Sequence, residues 1–334
     1  MSEKSARTDI YKAPKLAVAP MIDWTDRHCR FLHRQMSRHA MLYTEMVVDR
    51  AIIHGPRDRL LRRHPSEGPV SLQLGGSDPV LLAEAVRLAA PFGYDEINLN
   101  VGCPSDRVQS GCFGAVLMKD PLLVAACLKA MIAVSDVPVT VKCRIGVDDQ
   151  DPTTVLPEFL RHVQDSGVRG VTIHARKAWL QGLSPKENRE IPPLDYDLVF
   201  RMRDMFPDLG IALNGGVRDL DHAVSLIAQG IDGVMVGRAA YHEPMDVLAG
   251  ADTLWGEDGP RIDAFGVVDA MRPYISAHLE EGGKLNQVSR HMLGLFAGRP
   301  GARAWRRSLS ANATRAGAGL DVLDEALEAV TEAA

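Results

Sequence analysis

Apolar residues recur along this chain in two rhythms that take turns. Short β-rich runs fall at residues 16–21, 40–47, 69–75, 96–101, 138–145, 170–175, 210–213 and 233–236. Between them, segments 78–90, 121–134, 153–166, 195–205 and 219–229 repeat their apolar positions at helical spacing, several opened by an Asp, Ser or Thr suited to capping a first turn. Strand and helix alternating eight times predict an α/β fold closed into a TIM (β/α)8 barrel. A doubly wound sheet is the alternative, but no G-x-G-x-x-G follows any of the strands. After Tyr241 the rhythm changes. A stretch rich in Gly and Asp gives way to helical periods at 264–280, 285–296, 302–312 and 320–333. The expected division is a barrel over 1–248, a linker over 249–262 and a C-terminal all-helical domain over 263–334.

Strand parity carries more information than strand count, because side chains on a strand alternate between faces. Ser71 and Gln73 oppose Leu72 and Leu74; Asn98 and Asn100 oppose Leu99 and Val101; Thr140, Lys142 and Arg144 oppose Val139 and Val141; Thr172 and His174 oppose Val171 and Ile173. Barrels of this class usually fill their interior with aliphatic side chains, so a polar inner face on four successive strands predicts a polar group bound above the core. Taken singly, Gln73 or Asn98 would merely satisfy neighbouring backbone, and His174 reads as a satisfied interior histidine. Lys142 is different, since an ammonium pointing into a barrel needs an anion, a π system or a reaction to offset its desolvation. The seventh run ends in Asn214-Gly215-Gly216-Val217 and the eighth in Gly237-Arg238. Paired glycines let backbone N–H groups approach a phosphate at the place where such barrels commonly hold one, with Arg238 as counter-charge.

The fourth run stops at Asn100-Val101-Gly102-Cys103-Pro104. Proline disfavours the helical region for the residue before it, so Cys103 is expected in extended backbone at the strand's exit, facing whatever binds there. Alone, the pentapeptide reads more readily as a buried cysteine beside a turn. The five cysteines, Cys29, Cys103, Cys112, Cys127 and Cys143, include no C-x-x-C pair, and the histidines form no H-E-x-x-H. Neither a disulfide framework nor a bound metal is expected.

Composition is that of a globular protein, 46% apolar and 24% charged. No apolar run approaches the roughly 18 to 20 residues of a spanning helix, and residues 1–16 lack the apolar core of a secretion signal, so a cytoplasmic chain with no membrane partner is expected. A net charge of −5 argues against a nucleic-acid partner, yet residues 282–317 carry Lys284, Arg290, Arg299, Arg303, Arg306, Arg307 and Arg315 without one acidic residue. That segment predicts a surface for a polyanion.

Together the motifs resemble the tRNA-dihydrouridine synthases, flavoproteins that reduce a uridine in tRNA. The resemblance runs through Ala19-Pro20-Met21, Asn100-Val101-Gly102-Cys103-Pro104-Ser105, Val141-Lys142-Cys143-Arg144-Ile145-Gly146, Ile173-His174-Ala175-Arg176, Asn214-Gly215-Gly216 and Gly237-Arg238 in order. His174-Ala175-Arg176-Lys177-Ala178-Trp179, followed by Leu183-Ser184-Pro185-Lys186-Glu187-Asn188-Arg189, resembles more narrowly the A-type subfamily, which acts on the D-loop at positions 20 and 20a.

This resemblance implies FMN across the C-terminal mouth of the barrel and NADPH as reductant. Pro20, Met21 and Ile22 would border the flavin ring, Gln73 and Lys142 would meet its polar edge, and His174 would complete the site. Asn214, Gly215, Gly216, Gly237 and Arg238 would take the phosphate. Hydride would pass from the flavin to C6 of uracil and a proton from Cys103 to C5, with Cys112 the nearest rival thiol. For the tRNA, Asn100 is assigned to the flipped base, and Lys186, Arg189, Arg299 and Arg303 to the surrounding RNA, with the chain expected to act as a monomer. Three other readings share parts of the pattern: a barrel aldolase or isomerase using Lys142 as a Schiff base, a small-molecule flavin oxidoreductase such as a pyrimidine dehydrogenase, and a non-catalytic RNA-binding barrel.

Overall fold

The computed structural model describes residues 11–105, 113–257 and 262–331. Its strands are β1 (Leu16–Val18), β2 (Met41–Tyr43), β3 (Val47–Val48), β4 (Val70–Gly75), β5 (Glu96–Val101), β6 (Val139–Arg144), β7 (Gly170–His174), β8 (Gly210–Asn214) and β9 (Gly233–Val236). They pair in parallel in the order β2-β1-β9-β8-β7-β6-β5-β4-β3, and β2 also pairs with β4, which closes an eight-stranded barrel with β3 as a short extension beside the end of β4. The run at 40–47 is therefore two strands rather than one. The Thr44 hydroxyl accepts the Gln73 N–H at 3.1 Å and donates to the Glu45 carbonyl at 2.6 Å, so a side chain replaces the ladder at that point.

Outward-facing Leu16, Val18, Leu42, Leu72, Leu99, Val141, Ile173 and Leu213 are buried under the helical ring. The barrel helices are α1 (Arg27–Arg34), α2 (Asp49–His54), α3 (Arg57–Leu61), α4 (Pro79–Ala89), α5 (Pro121–Ile132), α6 (Pro152–Asp165), α7 (Tyr196–Met205), α8 (Leu220–Ala228), α9 (Arg238–His242) and α10 (Pro244–Leu248). Asp78, Asp120, Asp151, Asp195 and Asp219 each accept first-turn N–H groups, which sets where α4 to α8 begin. The floor is sealed by the buried Glu96 carboxylate, which accepts the hydroxyls of Tyr11 at 2.7 Å and of Tyr43 and Ser71 at 2.8 Å.

The C-terminal part contains α11 (Ala264–Glu280), α12 (Leu285–Ser289), α13 (Ala302–Asn312) and α14 (Leu320–Thr331). The helix expected over 285–296 ends at Ser289 and is followed by a single 3-10 turn, Met292–Gly294. The cause is close packing. A Cβ on Gly294 would stand 2.3 Å from the His242 carbonyl oxygen, and the Trp305 indole N–H takes the Met292 carbonyl at 2.9 Å. The 249–262 stretch expected as a linker is partly docked on the barrel: Asp252 accepts the Ser37 hydroxyl at 2.6 Å and the Arg38 N–H at 2.9 Å. His39, Asp252 and Glu257 converge there, with Arg38 supplying positive charge to both carboxylates.

One apolar cluster runs without a break from the barrel strands to Phe296, Trp305 and Leu323. Across the seam, Asp26 caps α1 and pairs with Arg290 at 2.5 Å and His291 at 3.0 Å, while His28 Nδ1 meets the Tyr274 hydroxyl at 2.8 Å. Burial pushes both His28 and His33 down to about 3. Both rings are therefore neutral in the folded chain, whereas in the unfolded chain they protonate near their ordinary value of about 6.5. The unfolded state thus binds more protons between the two values. Stability is complete above pH of about 6.5 and falls as pH drops through this window, by up to about 1.4 kcal/mol per pH unit for each ring. Urea midpoints at pH of about 7.5 and about 5 measure the loss, and His33→Met flattens the difference between them.

Candidate active site at the barrel mouth

The polar residues inside the barrel first satisfy one another. Gln73 Nε2 donates to Asn98 Oδ1, Asn98 Nδ2 to Thr140 Oγ1 and Asn100 Nδ2 to Gln73 Oε1, all at 2.8 Å. Higher up, Lys142 Nζ donates to Asn214 Oδ1 at 3.0 Å, and Asn214 Nδ2 to the Met235 carbonyl at 2.8 Å. Gln73 and Asn214 are thus members of the ladder beneath the mouth, each keeping part of its hydrogen-bonding capacity. Asn100 builds the turn that follows it, since its Oδ1 accepts the N–H groups of Gly102 and Cys103 at 3.1 Å each. The Cys103 thiol is half-buried and lies 3.4 Å from Ser105 Oγ. Cys29, Cys127 and Cys143 are buried, and burial raises their thiols, to about 12 for the last two. Cys112 lies outside the described residues.

Positive charge is concentrated around this thiol without matching carboxylates. Burial, reinforced by the Arg144 guanidinium, pushes Lys142 down to about 8. Burial drives His174 well below its ordinary value, with Arg144, Lys142, Arg176 and Arg189 adding to the effect. His174 Nδ1 and Arg176 Nε are buried polar atoms without a hydrogen-bond partner. Such orphans are costly, and a ligand that meets them recovers the cost.

Next to them, Gly215 and Gly216 adopt φ of 109° and 74°, in the region that favours glycine. A Cβ on Gly216 would stand 2.5 Å from Leu194 Cδ1 and 2.9 Å from Tyr196 Oη, and the Tyr196 hydroxyl holds the Gly215 carbonyl at 2.5 Å. Ideal Cβ positions on Gly237 lie 3.8 Å from Ala19 Cβ and 3.9 Å from Met21 Sδ, so the ends of β9 and β1 meet, with Pro20 and the exposed Ile22 beside them. Arg238 is engaged by Glu190 at 2.5 Å and reaches the Arg189 carbonyl at 3.5 Å, which ties its guanidinium to the loop after β7.

That loop carries Lys186 and Arg189 around a 3-10 turn, Glu187–Arg189. Asn188 is fully buried and staples the loop, accepting the Trp179 N–H at 2.7 Å and donating to the carbonyls of Trp179 at 2.9 Å and Leu183 at 3.1 Å. Arg144 and Asn188 were not singled out by sequence, although Arg144 shares the inward parity of Lys142 and both lie within quoted motifs. Glu45 and Trp24 had no such signal. Glu45 accepts the N–H of Asp23, whose φ is 67°, and Trp24 stacks on Tyr241 at 4.6 Å beside the mouth. Arg303 is exposed on α13, and Arg299 lines a cleft of about 550 Å3 with Asp219, Asp221, Asp246 and Asp263. The barrel topology thus gathers the sequence-predicted mouth residues, while Arg299 and Arg303 belong to the helical part.

A closed β/α barrel with a cationic, glycine-lined mouth and a half-buried thiol is the framework of an enzyme that holds an anionic group against a reacting partner. The family model for Dihydrouridine synthase (Dus) matches residues 17–334. The tRNA-dihydrouridine(20/20a) synthase of Shewanella oneidensis is 55% identical over 314 residues, spanning 94% of this chain and 93% of that protein. The enzyme of the same description from Escherichia coli K12 is 54% identical over 328 residues, covering 98% and 94%, and that of Vibrio cholerae is 54% identical over 314 residues, covering 94% and 95%. The chain belongs to the dihydrouridine synthase family.

Because Gly216 has both a left-handed backbone and no room for a methyl group, Gly216→Ala lowers unfolding stability by about 1–3 kcal/mol, measured by urea denaturation without added ligand.

Proposed function

We propose that this chain reduces uridine to 5,6-dihydrouridine in the D-loop of tRNA, at positions 20 and 20a, with FMN as cofactor and NADPH as reductant. The observation that carries the reading is the Cys103 thiol, set by Asn100 at the rim of a buried, carboxylate-poor cluster of cations. The residues present fit FMN: Gly237 is open where Gly215 and Gly216 put no side chain of their own before a phosphate, Arg238 offers charge, and Lys142 with the unpartnered His174 Nδ1 offers polar contacts. Bound there, FMN would supply hydride, taken from NADPH, to C6 of the uracil. Pro20, Met21 and Ile22 would border its ring, and Gln73 and Lys142 would meet its polar edge.

Hydride addition leaves negative charge on the uracil, which Lys142 and its neighbouring guanidinium groups stabilise electrostatically. Cys103 then transfers its proton to C5, leaving a thiolate that regains a proton from water. A thiol that gives up a proton works in its protonated form, unlike a nucleophilic cysteine, so this acid requires no activating base. A stacked uridine must first be extruded, at a cost of a few kcal/mol. Lys186, Arg189 and Arg303 provide the offsetting contacts to RNA, with the remaining amide hydrogen of Asn100 available to the flipped base. Arg299 contributes less, because the four Asp side chains that line its cleft repel the phosphates it would meet. No described helix is long and apolar enough to cross a membrane. The proposed enzyme is a monomer that meets tRNA in the cytoplasm.

The test is mass spectrometry of tRNA from cells lacking the protein: the two-hydrogen increment disappears from the D-loop, returns with the wild-type chain and does not return with Cys103→Ala. In vitro, Cys103→Ala keeps FMN and tRNA but oxidises its reduced flavin with tRNA about 10² to 10⁴ times more slowly, whereas Cys112→Ala does not. Unchanged oxidation by Cys103→Ala removes the thiol from the reaction. Affinity for tRNA falls linearly with salt on a log–log plot, and Arg303→Ala or Lys186→Ala flattens the slope by somewhat under about one unit each.

A further inference from the structure

Arg144 ends β6 with its side chain almost fully buried, and its bonds go to two different loops. Nε donates to the carbonyl of Gly102, the residue before Cys103, at 3.1 Å. Nη1 donates to the carbonyls of Lys177 at 3.2 Å and Asn188 at 2.9 Å, two well-separated points of the loop that carries Lys186 and Arg189. Among the described residues no carboxylate pairs with this guanidinium, so its charge is met by backbone carbonyls alone. A guanidinium is planar and rigid, and its donors hold fixed directions, so three carbonyls that share it are fixed relative to one another. Among the described residues, the Cys103 turn is also held by Asn100 and by the Ala115 N–H, which donates to the Cys103 carbonyl at 2.9 Å. Of these contacts, the one from Arg144 is shared with the loop on which RNA is proposed to sit.

We infer that Arg144 is a positioning residue that ties the seating of RNA on the loop after β7 to the placement of the Cys103 thiol. The inference rests on the proposed reaction. RNA drawing Lys186 and Arg189 toward its phosphates pulls on the Asn188 carbonyl, and the guanidinium passes that displacement to the Gly102 carbonyl and so to the neighbouring sulfur. The thiol is then in its productive position only with substrate present. Asn188 is the second part of the device, because its side chain makes the loop rigid enough to transmit the pull.

The experiment uses the full-length holoenzyme in a Cys112→Ala background, with Arg144→Lys and Asn188→Ala as separate variants. Arg144→Lys keeps the charge but cannot span three carbonyls; Asn188→Ala loosens the loop without touching the barrel. Two quantities are read: the rate at which tRNA oxidises the reduced flavin, divided by the rate with dioxygen, and the change that saturating tRNA produces in the alkylation rate of Cys103 by iodoacetamide. Each variant is expected to lose roughly 10-fold to 10²-fold in the rate ratio, the scale of an ångström-sized misplacement, and to lose the tRNA-dependent change in alkylation while still binding tRNA. A wild-type rate ratio, or a wild-type alkylation response, in both variants overturns the inference. If Arg144→Lys does not retain FMN, Asn188→Ala decides. A wild-type chain that passes no hydride to tRNA refutes the proposed function instead, so the two failures are distinguishable.

Discussion

A closed cylinder of parallel strands gives its inward side chains no route to water except through its open end, and every polar group placed there must be satisfied from within or from above. In this barrel the constraint is met by layers. The Glu96 carboxylate and three hydroxyls close the floor, the amides of Gln73, Asn98 and Asn100 interlock above them, and Lys142 reaches Asn214 at the top. What these layers leave unsatisfied lies at the rim, where His174 Nδ1 and Arg176 Nε have no partner. The binding site is in this sense the remainder of an internal accounting of hydrogen bonds.

The same architecture explains the electrostatics of the rim. Lys142 and Arg144 share one face of β6, and the register sets Arg144 beside His174 on β7. Burial is the main cause that lowers Lys142 and keeps the His174 ring neutral, and with carboxylates nearly absent from the mouth the fields of the neighbouring cations add to it. A neutral imidazole and a surplus of cations suit a site that receives a phosphate and stabilises charge developing on a bound base, in keeping with membership of the dihydrouridine synthase family.

The barrel was legible because period-two alternation and capping Asp residues are local signals, and the inward parity of Ser71, Gln73, Asn98, Asn100, Lys142 and His174 survives folding unchanged. What was not legible depended on contacts between distant segments. Thr44 breaks a run of good strand residues only because the Gln73 N–H is there to be accepted, and the 3-10 turn that replaces the expected helix packs Gly294 against the distant His242 carbonyl. The importance of Arg144 is invisible in its motif, since its partners are backbone carbonyls, which carry no sequence signature. Arg238 was read as free counter-charge, and its engagement by Glu190 could not be anticipated from residues 48 positions apart. Arg299 belongs to an acid-free segment in sequence but shares a cleft in space with four Asp residues from elsewhere in the chain.

The unbroken apolar cluster that joins the barrel to Trp305 and Leu323, with Asp26 fastened across the seam to Arg290 and His291, bears on how such proteins diversify. The helical portion is not a cassette that can be grafted from one barrel to another, because severing it strips large hydrophobic surface from both pieces. On such a frame, change is cheapest at solvent-facing residues, one charge at a time, and costliest by wholesale recombination of parts.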